Sequence, residues 1–164
     1  MLVRFVRAGG KDRVLFRNRY GVALGIVMIV SSATAEADMT VVEGHVTKIR
    51  DGDTIEIGPI AIRLNGVSAP EIGEALGKQS KAFIYRLIMG KRIRCELNGE
   101  KTYDRLVGKC FFQGQDIGAE LISSGLALDC PRYSDGQYKV YERTIAREQI
   151  ELPAYCRLMP NNQD

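Results

Sequence analysis

Histidine is almost missing from this 164-residue chain, and a lone His45 cannot build a metal cluster. It reads as a surface or strand-edge residue. No Cys-x-x-Cys pair occurs among the four cysteines, which excludes the usual structural zinc sites. There is no glycine-rich phosphate loop, no internal repeat and no low-complexity tract. A regular β-α-β alternation is also absent, and this argues against a doubly wound parallel sheet. The apolar run from Tyr20 to Val30 is short of the roughly 20 residues that a membrane span needs.

That run instead follows Arg4, Arg7, Lys11, Arg13, Arg17 and Arg19 and precedes Ser31-Ser32-Ala33-Thr34-Ala35-Glu36-Ala37. A basic start, a short apolar core and small residues before a cleavage point make a secretory signal peptide, cut after Ala35 or Ala37. The alternative is an uncleaved anchor. Residues 1–37 are therefore set apart from a single domain over residues 38–164, and a secreted or periplasmic location is expected. The charge argument changes with them. Of 23 basic and 20 acidic side chains, the leader holds six basics and two acids, leaving 17 against 18. The pI near 8.7 thus belongs to the leader and implies no general polyanion-binding field.

All four cysteines, Cys95, Cys110, Cys130 and Cys156, fall in the domain. An even count in an exported domain argues for two disulfides. Cys95 and Cys110 sit on two expected strands joined by a polar turn, which favours pairing them and leaves Cys130 with Cys156. Buried free thiols at 95 and 110 are the competing reading.

Alternation and turn residues predict strands over Thr40–Ile49, Thr54–Ile57, Ile60–Val67, Arg92–Leu97 and Leu106–Phe112, with Gly44 as a bulge or bend and Asn98-Gly99 as a turn. Helices are expected over 76–89, on Ala82, Phe83, Leu87 and Ile88, over 117–124 behind an Asp116 cap, and over 135–149. Phe83 reads as core. Tyr133 and Tyr138 are either packing residues or flank a substrate. The element order suits a small α+β domain, a five-stranded barrel of the oligonucleotide-binding (OB) type with about three helices.

Chemistry concentrates in residues 51–71, DGDTIEIGPIAIRLNGVSAPE. Asp51 and Asp53 stand on a tight turn, Arg63 on the next strand and Glu71 just after Pro70. Carboxylates beside a guanidinium suit a divalent, oxygen-loving cation together with a phosphate. A solvated, charged hairpin is the plainer alternative. Further on, Arg105 either points at the same site or pairs with its neighbour Asp104.

The segments DGDTIEI, IRLNGVSAPE, the helix around KAF, CEL…TYDR and FFQGQDIGAELISSGLA, in this order and spacing, resemble the staphylococcal-nuclease-like (thermonuclease) family. The resemblance covers about residues 43–127 and, more weakly, the chain to 149. It implies an OB barrel with three helices and a calcium-dependent nuclease cleaving phosphodiester bonds of DNA and RNA, acting as a monomer without a lasting membrane span. By position it implies Asp53 and the Ala69 carbonyl as calcium ligands, with Asp51 behind them. It implies Arg63 and Arg105 as phosphate-binding arginines, Glu71 as the general base and Tyr103 as a nucleotide contact. One ligand position departs from the family, because Ser68 stands where an aspartate is usual. Loss of a carboxylate lowers the charge of a calcium site, so weaker metal binding is expected. A second reading follows from Ser68: a barrel with an impaired centre that binds nucleic acid or protein without cutting. Asp104, where the best-known member has glycine, is a smaller departure.

Overall fold

The computed structural model describes residues 4–6 and 40–157. Its strands are β1 (Arg4–Val6), β2 (Thr40–Ile49), β3 (Thr54–Ile57), β4 (Ile60–Leu64), β5 (Val67–Ser68), β6 (Arg92–Thr102), β7 (Arg105–Phe112), β8 (Gln115–Asp116) and β9 (Leu128–Asp129). The α-helices are α1 (Gly77–Ile88), α2 (Ile117–Ser123), α3 (Pro131–Ser134) and α4 (Thr144–Gln149). The second half of β2 pairs with β3, β3 with β4, β4 in parallel with β7, β7 with β6, and β6 with the first half of β2. These five strands close on themselves. The result is the expected α+β, OB-type barrel.

Alternation decides what each strand presents. Ile55 and Ile57, Ile62 and Leu64, and Ile93, Cys95 and Leu97 enter the buried core with Val42, Val46 and Ile49. Thr54, Arg63 and Arg105 alternate with these core positions and so lie on the opposite face of adjoining strands, where Thr54 is itself buried. Two helices close the barrel. On α1 the buried stripe is Gly77, Ser80, Ile84 and Ile88, while Phe83 and Leu87 pack against the core from the side. On α2 Ile117, Leu121 and Ile122 are buried, and Asp116 caps the helix by accepting from the Gly118 and Ala119 N–H groups.

Three local expectations are corrected. The irregularity in β2 falls between Val46 and Lys48, not at Gly44, where the backbone instead approaches Ile57 closely. Asn98-Gly99 does not end its strand. The ladder is displaced between Leu97 and Lys101 and resumes to Thr102, so the hairpin tip is Tyr103-Asp104, with Tyr103 at a left-handed φ of 57°. The helix expected over 135–149 is broken up. Asp135 and Gly136 take positive φ after α3, the short 3₁₀ turn Lys139–Tyr141 follows, and Arg143 is extended before α4. Its sequence period competes with tertiary ties. Tyr138 is buried with its hydroxyl donating to Asp116 Oδ2 at 2.8 Å, and Glu142 accepts from the Asp129 N–H. Tyr138 is thus packing, as one of its two readings had it. His45 is exposed on β2, with Nδ1 3.0 Å from the Gly90 carbonyl.

Both disulfides are formed, Cys95–Cys110 across β6 and β7 and Cys130–Cys156 between the start of α3 and the last 3₁₀ turn, Ala154–Cys156. Such bridges persist in oxidising compartments. No described helix is long and apolar enough to cross a membrane. The expected leader lies outside the described residues except for β1, which pairs antiparallel with Val41–Glu43.

The Cys130–Cys156 link closes a 26-residue separation, so Cys156→Ser costs about 3 kcal/mol in the chain-entropy account, read as a lower urea midpoint. Peptide mapping without reductant recovers the two cysteines in one linked species; alkylation of both thiols in unreduced protein is the contrary result. Asp129 is buried, with Oδ1 accepting from Ser134 Oγ and Oδ2 unpartnered among the described residues. Burial pushes its carboxyl above the ordinary value, with Ser134 pulling it down and Glu142 adding to the rise. The folded state then holds this proton more tightly than the unfolded state does. The group therefore destabilises above its folded pKa, and that penalty fades as pH falls toward its unfolded value. Thermal melts of Asp129→Asn beside wild type should accordingly show the variant gaining relative stability as pH rises.

Candidate active site

The turn leading into β3 is built by its own acids. Asp51 Oδ1 accepts the Asp53 N–H at 3.1 Å, a local side-chain turn that suits an Asp-Gly step. This turns the Asp53 carboxylate inward, where only 4% of the residue remains exposed. Its Oδ1 accepts from Arg63 Nη1 at 2.6 Å and from Thr54 Oγ1 at 3.1 Å, and its Oδ2 accepts from the Ala69 N–H at 3.2 Å. One carboxylate thus ties three parts of the chain together: its own turn, β4 and the bend after β5.

Burial is the largest influence on Asp53 and pushes its carboxyl up to about 7. Arg63 opposes the rise, Asp51 adds to it, and the bonds from Ala69 and Thr54 pull it back. Arg63 is held further by Nη2 3.4 Å from the Val67 carbonyl. Arg105 donates from Nη1 to Thr54 Oγ1 at 3.1 Å and from Nε to the Thr102 carbonyl at 3.4 Å. Thr54 therefore connects the two arginines, accepting from one and sharing Asp53 with the other. Sequence reasoning missed it; the signal was a buried β-branched hydroxyl directly after Asp53. Asp104 does not pair with Arg105, since its Oδ2 meets Arg50 Nη1 at 2.7 Å.

Arg63, Glu71, Tyr103 and Arg105 all line one cleft of about 360 Å³. Glu71 is exposed and, among the described residues, its carboxylate has no hydrogen-bond partner, while its N–H donates to Glu74 Oε2. Tyr103 is 93% exposed at the hairpin tip, its ring centroid 6.0 Å from the Arg105 guanidinium carbon. Asp51, Asp53, Ser68 and Ala69 are not among the cleft walls, and Asp53 is joined to the cleft by its bond from Arg63. Ser68 is buried in β5, which pairs with β9. Tyr133, Tyr155 and Cys130 also line the cleft. Of these, Tyr133 was a candidate from sequence and Tyr155 was not.

The donor set Asp51, Asp53, Ser68 hydroxyl and Ala69 carbonyl contains only oxygen, as hard cations require. Asp51 already bears on the ionisation of buried Asp53, so a cation there would offset mutual repulsion. By type the donors suit a divalent ion of calcium type, while both Asp53 oxygens are already taken by Arg63, Thr54 and the Ala69 N–H. Among the described residues no three His, Cys, Asp or Glu side chains gather into a fuller cage.

Two glycines set the site against α1. A Cβ on Gly52 would fall 2.0 Å from Ser80 Oγ and 2.7 Å from Ala69 Cβ, and one on Gly77 would fall 1.8 Å from the Glu71 carbonyl oxygen. Helix α1 can approach both acid-bearing loops only because these positions lack side chains.

Residues 61–150 match the family described as Staphylococcal nuclease homologue, and the chain belongs to that family. It is 33% identical over 95 residues to an "Uncharacterized endonuclease" of Haemophilus influenzae, covering 55% of this chain and 53% of that protein. It is 36% identical over 106 residues to "Succinoglycan biosynthesis protein ExoI" of Rhizobium meliloti, covering 57% and 56%. Identity is 29% over 147 residues to "Micrococcal nuclease" of Shigella flexneri, with 80% of this chain and 82% of that one covered. The chain thus spans little more than half the length of the first two relatives.

Gly77→Ala is expected to displace the Glu71 bend, because a backbone oxygen cannot yield as a flexible side chain does. Overpacking of this kind costs about 1–3 kcal/mol. Chemical denaturation reads that loss, and amide exchange in residues 71–76 should rise with it.

Proposed function

We propose that this protein is an exported, calcium-dependent nuclease that hydrolyses phosphodiester bonds of DNA or RNA. The observation that carries this reading is the convergence on a single cleft of Arg63, Arg105 and the Glu71 carboxylate, which has no hydrogen-bond partner among the described residues. Hydrolysis of a phosphodiester needs a positioned water, relief of charge on the phosphate oxygens and help for the departing oxygen. Glu71 takes the proton of the attacking water. Arg63 and Arg105 hold the non-bridging oxygens and oppose the charge that grows there, with Arg105 nearer the departing oxygen. Thr54 keeps the two guanidiniums at a fixed separation, so little reorganisation accompanies the reaction. Tyr103 contacts the nucleotide. Asp53, Ser68 and the Ala69 carbonyl, with Asp51 behind them, would hold calcium, which when bound supplies electrostatic polarisation of a phosphate oxygen. The relatives named as nucleases support the same activity. A monomer suffices, since every group invoked comes from one chain.

Residues 1–37 are proposed as the leader removed on export, consistent with two disulfides in the domain. Its departure would remove β1 and free the edge of Val41–Glu43. A second reading, a nucleic-acid- or protein-binding barrel that does not cut, is favoured by two observations. Ser68 contributes no charge, and Arg63 already satisfies Asp53.

Digestion of single-stranded DNA with calcium and with chelator, by wild type, Glu71→Ala and Ser68→Asp, separates the readings. Calcium-dependent cleavage that falls about 10²–10⁴-fold in Glu71→Ala is the expected result. An inert wild type whose Ser68→Asp variant cuts would support the binder, and inactivity of both would remove the nuclease reading. Calcium titration calorimetry should show tighter binding by Ser68→Asp whether or not it cuts.

A further inference from the structure

Charge is unevenly spread over the domain. Of the 17 basic and 18 acidic side chains in residues 38–164, six basics and no acid fall within residues 75–95, leaving 11 basics against 18 acids elsewhere. That stretch comprises α1 and the first residues of β6. Arg92 and Arg94, on β6, are paired with Glu43 and Glu96. Lys78, Lys81, Arg86 and Lys91 form no ion pair among the described residues. On α1, Lys78 and Arg86 are exposed and Lys81 is half-buried, beside the buried stripe of Gly77, Ser80, Ile84 and Ile88.

Helix energetics do not account for this placement. The N-terminal end of a helix carries partial positive charge, so acids stabilise the first turn and cations oppose it. Helix α1 has no acid in its first turn and no side-chain cap, and Lys78 stands there instead. Because the helix holds no acid at all, no pair at i, i+4 offsets its cations. A face that destabilises its own helix and pairs with nothing in the chain is matched by a polyanion from outside. The cleft itself has little net charge for that task, since Arg63 and Arg105 are balanced in its lining by Glu71 and Glu100, and Arg63 is already engaged by Asp53. Helix α1 is also placed to assist it. It starts against the bend that carries Glu71, where a Cβ on Gly77 would fall 1.8 Å from the Glu71 carbonyl oxygen. From Lys78 to Arg86 its axis then runs about 12 Å away from that bend.

We propose that the outer face of α1, through Lys78, Lys81 and Arg86 with Lys91 beyond its end, is a second contact surface that holds the phosphodiester backbone of a nucleic-acid strand where it leaves the Glu71 side of the cleft. This rests on the nucleic-acid reading above and adds a binding surface outside the cleft, with a preference for length. Contacts to phosphate carry no sequence information, so the face adds affinity for any strand long enough to reach it. Short products that fill only the cleft are held less tightly and leave.

Binding is measured apart from cleavage, in full-chain protein carrying Glu71→Gln, with a fluorescein-labelled thymidine tetramer and hexadecamer read by anisotropy over a range of salt. Lys78→Gln with Lys81→Gln should weaken hexadecamer binding about tenfold near physiological salt and flatten its log-log salt dependence by about 1.4, the share of two phosphate contacts on a single strand. The tetramer should bind as before. Lys48→Gln with Lys139→Gln, which removes the same charge from β2 and the Lys139–Tyr141 turn, should alter neither strand. Lys78→Gln alone should melt at an equal or higher temperature, because the first turn of α1 then lacks a cation; a lower midpoint would make Lys78 a structural residue and overturn the assignment. Equal losses on both strands, an equal loss in the control pair, hexadecamer binding no tighter than tetramer binding, or no binding of either also overturns it. So does a loss of binding to phosphatidylglycerol vesicles with hexadecamer binding intact, which would make the face a membrane contact. Cleavage by the wild type is scored in parallel. Cutting without length-dependent binding would refute the surface and keep the nuclease, whereas length-dependent binding without cutting would keep the surface and refute the nuclease.

Discussion

The contact on which the rest of this site depends is the buried ion pair between Asp53 and Arg63, 2.6 Å long. A carboxylate removed from water is costly unless its oxygens are matched by donors. Here both oxygens are matched, by Arg63, the Thr54 hydroxyl and the Ala69 N–H. Each donor comes from a segment that carries another functional group. Satisfying one acid consequently aligns the turn with Asp51, the strand with Arg63 and the bend that leads to Glu71. Breaking the pair would leave a buried charge, so the arrangement resists loosening even without a substrate.

The barrel makes this possible by sorting alternate residues. Isoleucines of β3 and β4 fill the interior, and Thr54 and Arg63, on the opposite face, are neighbours paired across the ladder. The parallel pairing of β4 with β7 then sets Arg105 opposite Ala61, two residues from Arg63 on the same face. Helix α1 braces the loops from below through Gly52 and Gly77. The cleft forms where that outer face meets the Tyr103 hairpin tip and the disulfide-tied C-terminal segment.

Much of this was legible in the chain. Alternation identified the barrel strands, because a half-buried strand must repeat every two residues. The Asp116 cap and the 117–124 helix followed from local hydrogen bonding, and the spacing of the acids and arginine in residues 51–71 indicated that they gather, as the Asp53–Arg63 pair does. Cysteine parity and strand position gave both disulfides.

Other features were decided by tertiary contacts. The partner of Arg105 could not be read locally, since Thr54 lies 51 residues away and Asp104 is adjacent. Asp104 turned instead to Arg50, which its position on the hairpin tip allows. The period of residues 135–149 suggested a continuous helix, but Tyr138 and Glu142 gain buried partners at Asp116 and Asp129 that such a helix would forgo. Tyr155 gave no signal in the sequence, because only a disulfide across 26 residues brings it to the cleft. Periodicity and local hydrogen bonding act over a few residues and so are written in the sequence. Which distant donor answers a buried acid, and which ring lines a cleft, is fixed only when the chain closes.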